Sequence, residues 1–157
     1  MTTATMTAPA RSARPARVPG GGSSGESPAT GRLILAARLA LVEAQTAGEA
    51  GERYAAAHLA ALRAAAAVLA ERARPTTRSR RPTSAWSLLT DNAPDLAEWA
   101  AYFAAGANKR VAAQSGLRGA VTTREADDLL RQAGQFIALV ESRLGMLPLL
   151  VRDSRLS

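Results

Sequence analysis

Apolar positions recur along most of this chain at helical spacing, and no stretch alternates with the period of two that a half-buried strand requires. The first periodic segment runs from about Arg32 to Ala47. Thr30 is placed to cap it and Gly48 to end it. Taken at about 100° per residue, it is apolar on two sides, with Leu33, Ile34, Ala37 and Leu41 on one and Leu35, Leu39 and Val42 on the other. A helix of that kind is expected between partners or at a dimer interface. A second helix is predicted over Gly51–Ala73, with Leu59, Leu62, Ala66 and Leu69 as its core stripe.

Residues 74–83, RPTTRSRRPT, break the pattern with Pro75 and Pro82. Ser84 then caps a short helical turn anchored by Trp86, Leu88 and Leu89. Pro94 opens a further helix, expected to reach about Gln114 with Leu96, Trp99, Phe103 and Val111 on one face. Gly116 and Gly119 bracket a turn. They have the G-x-x-G form of a KH domain, but a turn after a helix explains them without strands. Thr122 and Glu125 have capping-box spacing. The last helix carries Ala126, Leu129, Ala133, Phe136, Val140 and Leu144, with Asp127 and Arg131 spaced for an ion pair and Pro148 to stop it. The expectation is an all-α bundle of four long helices and one short helix over residues 31–147. Residues 1–30 read as a disordered basic tail rich in Ser, Thr, Pro and Gly, and 148–157 as a second tail.

Composition changes this picture in one respect. Of the 157 residues 37 are alanine and only six are aromatic, so the helices must pack by close approach rather than by bulk. There is no cysteine and one histidine, which excludes disulfides, thiolate chemistry and a cysteine or multi-histidine zinc centre. No metal and no cofactor are expected. The longest stretches without a charge, Met1–Ala10 and Trp99–Asn108, are too short to span a bilayer, and the first thirty residues lack the apolar run of a secretory signal. A cytoplasmic protein without membrane contact is expected.

The net charge of +7 is unevenly spread. Residues 1–30 contribute +2, residues 71–83 contribute +4, and the rest only +1. Arg72, Arg74, Arg78, Arg80 and Arg81 therefore form a candidate grip for the phosphates of RNA or another nucleic acid, since arginines on a loop release counterions without needing fixed geometry. A solvated, solubilising loop is the plainer account. Neither basic segment has aromatic residues for base stacking, so sequence readout is not expected.

One place holds residues capable of catalysis. In Arg53-Tyr54-Ala55-Ala56-Ala57-His58 an imidazole could move protons and a guanidinium could stabilise phosphorane-like charge. Five positions on a helix separate the two by about 140°, so they do not meet on one helix. Tyr54, His58 and Leu62 instead form a column beside the core, which favours a histidine at a helix–helix seam.

ERYAAAHLAALRAAAAVLAERARP (Glu52–Pro75), the tryptophan segment Ser84–Leu89 and PDLAEWAAYFAAGANKR (Pro94–Arg110) resemble a small actinobacterial family of HEPN-domain proteins. TTREADDLLRQAGQFIALVE (Thr122–Glu141) is similar to that family's final helix, and the resemblance covers about residues 32–146. It implies a helical bundle, usually dimeric, that binds nucleotides or RNA and in many members is a metal-independent ribonuclease. Nuclease members share an R-x4–6-H motif whose arginine and histidine form a composite site at the dimer interface, and Arg53 and His58 have that spacing. Three functions follow as expectations. The first is a dimeric, non-catalytic module that binds nucleic acid, nucleotide or a protein partner. The second is a ribonuclease using Arg53 and His58, and the third a protein-interaction scaffold without nucleic-acid affinity.

Overall fold

The computed structural model describes residues 27–72 and 84–146. Every regular element among them is helical: α1 (Pro28–Thr46), α2 (Ala50–Glu71), α3 (Ala85–Asn92), a 3-10 turn (Pro94–Leu96), α4 (Ala97–Ala105), α5 (Ala107–Gln114) and α6 (Thr123–Arg143). The all-α bundle is as expected. Helix α2 is its centre, touching α1, α3, α5 and α6. Helix α1 runs antiparallel to both α2 and α6: Ser27, just before α1, and Ala36 on it meet Glu71 and Arg63 on α2, while Leu41 lies against Gly134 and Arg38 against Glu141 on α6.

The central position of α2 decides which of its residues are core. The predicted stripe of Leu59, Leu62, Ala66 and Leu69 is only half-buried. The buried residues of α2 are Tyr54, Ala57, His58, Ala60, Ala61, Ala64, Ala65, Ala67 and Val68. A helix enclosed by several neighbours favours small side chains where backbones come close, and the leucines fill the flanks.

Three helix boundaries also differ from expectation. Helix α1 starts at Pro28, so Thr30 is a buried residue of its first turn instead of a cap. Proline at the first helical position needs no N–H partner, and the Ser27 N–H just before it donates to Glu71 Oε1 at 3.1 Å. The predicted helix over 94–114 is broken into the 3-10 turn, α4 and α5, with Gly106 at the second break. A Cβ on Gly106 would stand 2.5 Å from the Tyr54 hydroxyl, so α2 presses on the chain there. Beyond the break the face rotates outward, and Val111 is exposed instead of buried. Helix α6 ends at Arg143, where Gly145 takes φ +74° and the Met146 N–H returns to the Glu141 carbonyl, so its stop precedes Pro148, which lies outside the described residues.

Caps and pairs follow the sequence more closely. Ser84 Oγ accepts from the Ser87 N–H and Thr122 Oγ1 from the Glu125 N–H, both at 3.1 Å. The Glu125 carboxylate turns to Lys109 at 2.9 Å. The expected Asp127–Arg131 pair is replaced, because Arg131 takes Asp128 and Asp127 faces α2. After α5, Gly116 at φ +78° and the Leu117 N–H returning to the Ala112 carbonyl close the helix, so the two glycines serve a turn. Ala126, Leu129, Ala133, Phe136 and Val140 of α6 are buried as predicted. Phe136 joins Trp86, Trp99 and Phe103 in an aromatic cluster with ring centroids 5.2–6.4 Å apart. No helix of the described residues is long and apolar enough to cross a membrane.

Candidate functional site

The first two turns of α2 carry the residues with catalytic potential, and they point different ways. Arg53, near the outer surface, donates through Nη1 to Asp127 Oδ1 at 2.6 Å and through Nη2 to the Ala47 carbonyl at 3.0 Å. Its guanidinium is thereby held between the α1–α2 turn and the first turns of α6. His58 lies inward and is 1% exposed. Its Nε2–H donates to the Phe103 carbonyl at 2.8 Å, and its ring meets Trp86 and Phe103 edge-on at 5.8 and 6.3 Å. Within one protomer the structure does not bring Arg53 and His58 together.

The environment sets the protonation of His58. Burial pushes its pKa below the ordinary 6.5, the Phe103 carbonyl pulls it back up, and the positive charge of Arg110 adds to the lowering. The ring is neutral at pH 7 and carries its proton on Nε2. Nδ1 has no hydrogen-bond partner among the described residues.

Tyr54 and His58 are four residues apart on one face of α2, and both serve the same purpose. At the α4–α5 break the Phe103 carbonyl accepts the Gly106 N–H at 3.1 Å and the Gly106 carbonyl accepts the Arg110 N–H at 3.0 Å, and each receives a second donor from α2. His58 bonds the Phe103 carbonyl, and the Tyr54 hydroxyl donates to the Gly106 carbonyl at 3.4 Å. Burial raises the Tyr54 phenol pKa, so it remains a donor. The pair fastens the α4–α5 corner to the central helix.

Two surface grooves flank this end of the bundle. One, of about 950 Å³, lies between the start of α2 and the α5–α6 turn, with Glu49, Glu52, Gln114 and Arg118 in its wall. The other, of about 370 Å³, is bordered by Tyr54, Tyr102, Lys109 and Glu125. Neither Arg53 nor His58 lines either groove. No group of three or more His, Cys, Asp or Glu that could hold a metal occurs among the described residues.

Of the five basic-loop candidates, Arg72 is described and exposed at the end of α2. Its Nη1 donates to the Asn92 carbonyl at the last residue of α3, where positive charge suits the helix dipole. Arg74, Arg78, Arg80 and Arg81 lie outside the described residues.

The SAV_6107-like HEPN family model matches residues 44–141, from the end of α1 through nearly all of α6. The chain belongs to the HEPN domain family. No curated protein and no solved structure matches it. Arg53, His58 and Arg72 fall within the HEPN match, and so does the basic loop.

One feature of this HEPN domain escaped the sequence reading. Glu141, 1% exposed, pairs with Arg38 across α1 and α6. The signal was present as a carboxylate directly after the buried Val140, and an arginine next to the buried Ala37. Each interrupts an apolar stripe, which is where a buried ion pair leaves its trace.

Proposed function

We propose that this HEPN domain acts as a homodimeric binding module that holds nucleic acid without cleaving it. The observation that carries the non-catalytic part is the His58–Phe103 hydrogen bond. The only imidazole in the chain has its donor nitrogen committed to a backbone carbonyl and its ring enclosed by tryptophan and phenylalanine. A general acid or base must reach the proton it transfers. A ribonuclease built on Arg53 and His58 would require the ring to leave Phe103 and Arg53 to leave Asp127.

Support for the nucleic-acid part is electrostatic. Residues 71–83 concentrate +4 between α2 and α3, on a body whose charge elsewhere nearly cancels. Fluorescence anisotropy of the full chain with a labelled RNA at low salt tests the assignment. Replacing Arg78, Arg80 and Arg81 by alanine is expected to lower affinity at least tenfold and to reduce the slope of log Kd against log salt by about two to three. Unchanged affinity and slope would remove the loop from the account. A protein partner is the second reading, favoured by Val111 and Leu117, which are 57% and 64% exposed around the end of α5. Absence of RNA and DNA affinity at low salt would select it.

A further inference from the structure

The face of α1 turned away from α2 and α6 carries Leu35, Leu39 and Val42, which are 56%, 57% and 53% exposed. Spaced at i, i+4 and i+7, they make a continuous apolar stripe that no described element covers. Arg32 and Glu43 stand eleven residues apart, about three helical turns, so they share one edge of that stripe. Both are exposed, and neither forms an ion pair among the described residues. At the opposite edge Arg38 is neutralised by Glu141.

We propose that a second copy of this chain covers this face, with α1 packed antiparallel on its counterpart about a two-fold axis crossing between Ala37 and Arg38. The charges select that register. Two positions equally distant from the axis fall level, so Arg32 meets the partner's Glu43, and the symmetry forms the same contact twice. Leu35 lies within one residue, about 1.5 Å, of the level of the partner's Leu39. The rotation keeps corresponding edges on the same side, so both ion pairs flank one apolar seam. A parallel two-fold would carry the Arg32 and Glu43 edge to the opposite side of the seam in the partner, so neither ion pair would form. With three apolar side chains per protomer the contact is small, which places its Kd on the order of 1–100 µM. The inference rests on the dimeric reading above and adds the surface and register.

Sedimentation equilibrium of the full chain up to about 200 µM, a concentration above that Kd range, tests both separately. The wild type is expected to dimerise reversibly. Arg32→Glu and Glu43→Arg should each weaken the dimer on the order of tenfold, and the double reversal should return it to within about threefold of wild type. Leu39→Glu should give a monomer with an unchanged circular dichroism spectrum, because the side chain is exposed in the protomer. A dimer indifferent to Leu39→Glu and to both reversals places the interface elsewhere and overturns this inference alone. A double reversal as weak as the single ones overturns the register. A wild type that stays monomeric at every concentration overturns the dimeric reading as well.

Discussion

His58 donates its Nε2–H to the Phe103 carbonyl at 2.8 Å, and this bond joins the central helix to the break between α4 and α5. It also determines how the protein responds to acid. Burial lowers the His58 pKa below its unfolded value of 6.5, so as pH falls through 6.5 the unfolded chain takes up a proton that the folded one refuses. The stability contributed by the neutral ring is complete above about pH 7 and is lost progressively below 6.5. His58→Gln keeps an N–H donor without the titration. Urea unfolding at pH 7.5 and 5.5 should show a drop in wild-type stability that is smaller in His58→Gln. Equal drops in the two proteins would mean that His58 does not carry the acid response.

Gly106 and Tyr54 make a second such relationship. Gly106 has φ −85°, a conformation open to any residue, so its requirement is for space and not backbone freedom. Gly106→Ala puts a methyl group 2.5 Å from the Tyr54 hydroxyl and should destabilise the fold by about 1–3 kcal/mol. Removing that hydroxyl in Tyr54→Phe/Gly106→Ala should recover part of the loss. A double-mutant cycle in denaturant without coupling would show that the break is set by something other than this contact.

Arg38 and Glu141 differ sharply in exposure, with side chains 16% and 2% accessible. Removing the arginine leaves an almost completely buried carboxylate without its partner. Arg38→Ala should therefore cost about 3–5 kcal/mol. Replacing both residues, as Arg38→Met/Glu141→Leu, should restore stability to near or above wild type, because the desolvation of two charges disappears with them. A double variant as unstable as Arg38→Ala would show that the pair contributes more than mutual neutralisation.

Much of this was legible in the residues themselves. The buried stripe of α6 and the Ser84 and Thr122 caps follow from local spacing and chemistry and are found where the pattern put them, and of the three expected anchors Trp86 and Leu89 are buried while Leu88 is exposed. Local spacing also separated Arg53 from His58, since five residues on a helix cannot bring two side chains together. What it could not show depends on which helix lies in the middle. Six alanines of α2, among them Ala61 and Ala65, are core in a helix that α1 and α6 both contact, and a hydrophobicity pattern ranks Leu59 and Leu69 above them regardless of neighbours. The contact of Tyr54 with Gly106 at the break spans 52 residues, and the Arg38–Glu141 pair spans 103. Periodicity does not see contacts of that separation.

The account depends most on a HEPN domain whose single histidine is structural. Structured RNA incubated with the full chain in EDTA, then resolved by denaturing gel electrophoresis, tests this most directly, with His58→Gln run beside the wild type. The account predicts retarded RNA in a native gel and intact RNA in the denaturing gel for both proteins. RNA cut by the wild type and spared by a folded His58→Gln would contradict it.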